Sequence, residues 1–132
     1  MKPTAVFQTL HDIGAAAWLG GALMGALGVN GAADAVSDPA DRDRVAAAGW
    51  SRWTPVFRVA AAAHLLGSAG LLLMERSRRS VLRFALTTTA AGAQAGTAVL
   101  GSRESKQAVH ALEWAIPALM AGVVVVSAQR SD

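Results

Sequence analysis

Four apolar stretches, separated by more polar segments, occupy most of the 132-residue chain. They run over Val6–Val29, Thr54–Met74, Leu82–Gly101 and Val109–Ala128. Each is about 20 residues long, the length of helix that crosses the hydrocarbon core of a bilayer. The pattern therefore predicts an all-α polytopic membrane protein, an antiparallel four-helix transmembrane bundle that forms a single domain over residues 1–132.

The first stretch also has features of a signal peptide, because it follows Lys2 and precedes the small-x-small sequence of residues 33–35. Its apolar part is longer than that of a signal peptide, and His11 and Asp12 interrupt its start. We therefore expect a transmembrane helix here.

The connection between the first two stretches, residues 32–53, is the only long one and is expected to be external. Asp38 followed by Pro39 is typical of a helix start, with Asp38 as the capping residue and Pro39 at the first helical position. The sequence predicts a short interfacial helix over about Pro39–Gly49 within this loop.

Three tryptophans, Trp50, Trp53 and Trp114, are expected at one membrane face. Tryptophan is enriched where a membrane meets water, so the three are interpreted as an interfacial belt. A role in ligand binding is the alternative.

The short turn after the second stretch is basic, with Arg76, Arg78 and Arg79 in succession and Arg83 just beyond. Cytoplasmic loops are enriched in Lys and Arg. This bias predicts a multi-pass protein of the cell membrane with both termini in the cytoplasm.

Composition agrees with a membrane location, since 53% of residues are hydrophobic and 16% are charged. Soluble domains carry about 25% charged residues. The lipid bilayer is therefore the expected partner, and the net charge of +3 lacks the basic face with aromatic residues that nucleic-acid binding requires. The chain has no cysteine, which excludes thiolate metal sites and disulfides.

Two small-residue motifs of the GxxxG type occur, at residues 21–25 and 92–96. Such motifs allow helices to approach closely in lipid. They are interpreted as contacts within the bundle or as faces for a homo-oligomer or a larger membrane complex.

Ionisable groups inside membrane spans are costly and by default functional. With a rise of about 1.5 Å per residue, His11 lies about 8 Å above the inner start of the first span. By the same rise, His64 lies about 15 Å above the inner end of the second span, so the two imidazoles are expected to approach one another. Two such imidazoles can ligate a haem iron, which makes haem b a candidate cofactor; both can instead be structural.

Arg58, His110 and Glu113 lie near the outer ends of the second and fourth spans. Arg58 and Glu113 have similar depths and are expected to pair, while His110 and Glu113 share a helix face. This cluster is interpreted as structural, with a site for an anion or a proton as the alternative. Gln94, near the middle of the third span, needs a hydrogen-bond partner and is expected to face another helix.

Over residues 11–21 the first span reads HDIGAAAWLGG. A histidine before Trp-x-Gly-Gly in a first helix resembles the copper-resistance D-type membrane proteins and the membrane-type protoporphyrinogen oxidases. The resemblance implies a multi-span fold and, from the oxidase-like members, a haem association for His11. The Arg-rich sequence that follows the first helix in the oxidases is replaced by Met24–Asn30, which argues against oxidase activity. In its Ala- and Arg-rich composition the chain also resembles actinobacterial membrane proteins.

Three classes of function remain open. The favoured one is a non-catalytic membrane protein that acts as an accessory, binding or self-associating subunit, on the grounds of its short length and its Gly- and Ala-rich packing patterns. The second is a haem-binding redox or haem-handling protein that uses His11 and His64. The third is a small transporter or channel with a polar path through Gln94. The sequence contains no HExxH or Walker motif, and enzymatic activity is not predicted.

Overall fold

The computed structural model describes residues 2–101 and 106–129. Within these ranges the chain is helical and contains no strand, so the all-α class is confirmed. Its elements are α1 (Pro3–Leu23), a π-helical segment (Met24–Val29), α2 (Asn30–Asp34), α3 (Pro39–Glu75), α4 (Arg78–Gly101) and α5 (Lys106–Ala128).

The four long helices form a closed ring with antiparallel neighbours. Helix α1 packs against α3, α3 against α4, α4 against α5, and α5 against α1. The start of α1, the turn between α3 and α4, and the end of α5 therefore lie together, at what we call the terminal end. The opposite end, which holds α2 and the end of α4, is the far end.

Three helices among the described residues are long and apolar enough to cross a membrane: Pro3–Asp34, Pro39–Glu75 and Gln107–Ala128. The chain thus has the properties of a small membrane protein. Helix α4 coincides with the third predicted span, but it does not reach the same apolar content because threonines, Gln94 and Arg83 lie along it.

The helix predicted in the first loop begins as expected. Asp38 caps it by accepting hydrogen bonds from the backbone N–H groups of Ala40 and Asp41, at 2.8 and 3.1 Å. The prediction that this helix is short and separate is wrong, because α3 continues without a break from Pro39 to Glu75. Pro55 removes only one backbone hydrogen bond, and packing against α1 on both sides of it keeps the helix intact.

The turn between α3 and α4 is tight. Arg76 adopts a left-handed conformation with φ of 47°, which ends α3. Ser77 and Ser80 then cap the start of α4 through reciprocal bonds, in which each side-chain oxygen accepts from the other residue's backbone N–H, at 3.0 and 3.1 Å. These contacts fix the basic turn at the terminal end.

Glycines bring α1 and α3 into backbone contact. A Cβ atom added to Gly14 would lie 2.6 Å from the backbone nitrogen of His64 and 2.7 Å from the carbonyl oxygen of Ala60. A Cβ atom on Gly67 would collide with the backbone of His11. The absence of a side chain at these two positions therefore sets the separation of the two helices.

The two GxxxG motifs have different surroundings. Gly21 and Gly25 face the indole rings of Trp53 and Trp50, so this motif is a contact within the bundle. A Cβ added to Gly96 would meet only a methyl group of Leu112, at 3.2 Å, and a Cβ on Gly92 would meet nothing within 4 Å. The second motif is therefore not a close helix contact within the described structure.

The glycine contacts predict a sharp difference between two substitutions in the same hairpin. Gly67→Ala should lower the stability of the detergent-solubilised protein by about 1–3 kcal/mol, because its methyl group overpacks the α1–α3 contact. Gly20→Ala, where a Cβ would meet nothing within 4 Å, should be neutral or slightly stabilising. Unfolding followed by circular dichroism measures both, and equal stability of the two variants would contradict the proposed contact.

Candidate functional site

His64 of α3 joins three helices inside the bundle. Its side chain is fully buried, and its Nδ1–H donates to the carbonyl oxygen of His11 at 2.9 Å. In the neutral ring Nε2 is then an acceptor, and it receives the hydroxyl of Thr87 on α4 at 2.8 Å. The Ser68 hydroxyl lies 3.5 Å from that of Thr87. Both nitrogens of His64 are therefore engaged in contacts between helices.

His11 of α1 is equally buried but is less completely paired. Its Nδ1 donates to Oδ1 of Asp12 at 2.9 Å, and the same carboxylate accepts from the side-chain amide of Gln8 at 2.8 Å. Nε2 of His11 has no hydrogen-bond partner among the described residues. The His11 and His64 rings lie with their centroids 4.6 Å apart, which confirms that the two residues approach one another.

The residues around the two histidines do not fit a haem held between them. Axial ligands stand on opposite faces of a porphyrin, whereas these two rings contact each other directly. His64 has no uncommitted nitrogen, and Gly14 and Gly67 hold the supporting helices in backbone contact. Haem ligation by His11 and His64 stays a prediction, and this geometry does not favour it.

The described residues contain no group of three or more His, Asp or Glu side chains arranged to hold a metal ion. The polar layer around His64 is instead arranged as a set of contacts between helices, which stabilise α1, α3 and α4 against one another.

A cavity of about 390 Å³ lies between the four long helices in the half of the bundle nearer the far end. Pockets for small molecules are typically about 300–1,000 Å³. The cavity combines four aromatic side chains with a few polar ones, and its lining residues are Trp18, Ala22, Ala26, Trp50, Trp53, Thr54, Phe57, Gln94, Thr97, Val109, Glu113 and Ile116.

A chain of hydrogen bonds fixes the polar side of this cavity. Oε1 of Glu113 accepts from the amide of Asn30 at 2.9 Å. The side-chain oxygen Oδ1 of Asn30 in turn accepts from the indole N–H of Trp50 at 3.2 Å. His110 lies one helical turn from Glu113, with 3.9 Å between Nδ1 and the second carboxylate oxygen. The carboxylate is thereby held at the cavity by α2 and α3.

The predicted pair of Arg58 and Glu113 is wrong. Arg58 is exposed on α3 and forms no ion pair within the described parts of the chain, while Glu113 bonds Asn30 and approaches His110. Arg58 and Glu113 were expected to pair because their predicted depths are similar, but the exposed Arg58 side chain points out of the bundle. Asn30 was not among the predicted site residues, although an amide directly after an apolar stretch needs a hydrogen-bond partner.

The other predicted polar and aromatic residues divide between the cavity and the surface. Gln94 lines the cavity and its amide donates to the hydroxyl of Thr97 at 3.4 Å. Trp50 and Trp53 are half-buried and line the cavity, with Trp53 against Gly21 of α1 and Trp50 against Gly25 of the π-helical segment. Trp114 is 45% exposed and is the one that faces outward as a membrane anchor would.

Comparisons with known proteins give no match. No protein-family model, curated protein or solved structure is significantly similar to the chain. The resemblance of residues 11–21 to copper-resistance D-type proteins and membrane protoporphyrinogen oxidases therefore stays a prediction.

The bond between Thr87 and His64 predicts a selective loss of stability. Thr87→Val keeps the side-chain shape but leaves Nε2 of His64 without a donor, which should cost about 1 kcal/mol, as for other hydrogen bonds between membrane helices. Thr88→Val is the matched control, because the exposed Thr88 hydroxyl bonds only the Ala85 carbonyl of its own helix. Thermal unfolding in detergent compares them; equal losses would mean that the His64 contact contributes nothing.

The contact between the two imidazoles also gives a spectroscopic prediction. Protein purified after expression with added haem should show no Soret band, because His64 has no nitrogen available for iron. A Soret band that disappears in both His11→Ala and His64→Ala would contradict this and would support the haem hypothesis.

Proposed function

We propose that this chain is a non-catalytic membrane protein that binds a small organic cation in the cavity between its four helices. The observation that carries the proposal is the single carboxylate, Glu113, among the lining residues of an otherwise aromatic and neutral cavity.

The outer surface of the helices supports a membrane location. On α3, Val59, Leu66 and Leu73 recur every seven residues and are 72%, 63% and 70% exposed. Such spacing places them along one face of the helix. A continuous apolar face of this kind is costly in water and favourable against lipid.

Helix α4 is proposed as a fourth span despite its threonines. Thr88 and Thr89 are exposed, and both donate to the carbonyl oxygen of Ala85, at 3.0 and 2.9 Å. The Thr97 hydroxyl similarly bonds the Gln94 carbonyl at 2.7 Å. Hydroxyl groups that are satisfied within their own helix are tolerated in lipid.

The chemistry of the cavity favours a cation with an apolar body. Trp18, Trp50, Trp53 and Phe57 provide aromatic faces, which attract cations and cover apolar groups. Glu113 is the one ionisable residue among the lining residues, so the charge of the site is negative when it is ionised. Gln94 of α4 adds a hydrogen-bonding group from the same helix hairpin as Glu113.

Tryptophan fluorescence can test binding directly, because three of the indole rings line the cavity. The probe is benzyltrimethylammonium, and neopentylbenzene is its uncharged counterpart of the same shape. We expect a saturable change in emission with the cation and a much weaker one with the neutral molecule. Equal responses to the two compounds would show partition into detergent or lipid rather than recognition of charge.

Two variants test whether the cation binds in the cavity. Glu113→Gln should weaken cation binding by about tenfold or more, which corresponds to about 1.4 kcal/mol. Asp43→Asn is the control, since Asp43 is an exposed carboxylate on the part of α3 toward the far end and does not line the cavity. Unchanged affinity in Glu113→Gln, or an equal loss in both variants, would overturn the proposed function.

A further inference from the structure

A second cavity, polar and about 600 Å³ in volume, lies at the terminal end. Parts of all four long helices meet there: the start of α1, the end of α3, the first turns of α4 and the end of α5. Its lining residues are Gln8, Glu75, Ser77, Arg78, Arg79, Arg83, Ser127 and Gln129. It is separate from the aromatic cavity and shares no residue with it.

Arg83 is the central group of this cavity. It is only 5% exposed, and its Nη2 donates to Glu75 at 2.8 Å while Nη1 donates to the side-chain oxygen of Gln8 at 3.4 Å. Its Nε–H has no acceptor among the described residues. A guanidinium has five donors in a fixed plane, and a buried donor without an acceptor is costly. Arg83 is therefore a buried cation whose donor capacity the described residues do not fully use.

Most of the charged side chains that line the cavity are basic. Among the described lining residues, the side chains of Arg78, Arg79 and Arg83 are basic and that of Glu75 is acidic. Several oxygens on one anionic centre would satisfy such a set of donors, and arginine binds phosphate in this bidentate manner.

Exposed apolar residues flank the lining residues along α3 and α4. Leu73 and Met74 at the end of α3 are 70% and 49% exposed, and Val81 and Leu82 at the start of α4 are 55% and 47% exposed. A ligand whose phosphate enters the cavity could therefore lay an acyl chain against these side chains. Basic pockets between helices on the cytoplasmic side of membranes bind anionic headgroups, and the basic turn is the end expected to face the cytoplasm.

We infer that the cavity around Arg83 binds the phosphate group of an anionic phospholipid. Arg83 is the buried anchor, Arg78 is an exposed contact at the rim, and the apolar residues of α3 and α4 receive the acyl chains. This inference does not depend on the proposed binding of an organic cation at the far half of the bundle.

Native mass spectrometry of the detergent-solubilised protein tests it through the abundance of lipid adducts. The probes are phosphatidylglycerol and the zwitterionic phosphatidylcholine. We expect selective retention of phosphatidylglycerol, reduced about fivefold in Arg78→Gln and in Arg83→Gln. That factor corresponds to about 1 kcal/mol for each basic residue near a membrane surface.

Arg76→Gln is the matched control, because Arg76 lies in the same turn, loses the same charge and does not line the cavity. Arg78 is exposed, so its variant keeps the test valid even if loss of the buried Arg83 prevents folding. An equal loss of adducts in Arg76→Gln and Arg78→Gln would contradict a specific site. It would show instead that anionic lipids are attracted to the positive charge of the turn in general. Displacement of the lipid by a large excess of inorganic phosphate would overturn the lipid as the ligand, because the phosphate group alone would then be recognised.

Discussion

The backbone contact between α1 and α3 is the constraint on which the rest of the structure depends. Gly14 and Gly67 leave no side chain between the two helices, and the contact places His11 beside His64. His64 then reaches both the backbone of α1 and the Thr87 hydroxyl of α4. A polar group that would be costly in an apolar interior is thus used to position a third helix. The core formed by Trp18, Ile116 and Met120 closes around this arrangement.

The periodicity of the sequence was sufficient to predict the helices and the positions of residues along the helix axes. The apolar stretches correspond to long helices, Asp38 caps α3, and the expected approach of His11 and His64 is observed. Depth follows from the residue number because the helical rise is constant. The extent of α3 was harder to predict, because Pro55 and the polar residues before it read as a loop, whereas packing against α1 keeps that segment helical.

The direction in which each side chain points around its helix axis could not be predicted from one sequence. Neighbouring residues on a helix are separated by about 100°, so Phe57 lines the cavity while Arg58 points away from the bundle. For the same reason Gln94 and Glu113 could be recognised as polar groups in apolar helices but could not be assigned to one cavity. Asn30 was missed because its partner, Glu113, lies 83 residues away.

The π-helical segment Met24–Val29 makes the polar side of the aromatic cavity sensitive to the number of residues before Asn30. Each hydrogen bond in a π-helix spans one residue more than in an α-helix, and such segments behave as insertions that turn everything after them about the helix axis. Asn30 follows the segment directly, and its amide reaches Glu113 from that rotated position. The polar side of the cavity therefore depends on the length of the chain before Asn30 as well as on the identity of Asn30. Removal of one residue from this segment would therefore turn Asn30 away from Glu113 even though both side chains are kept.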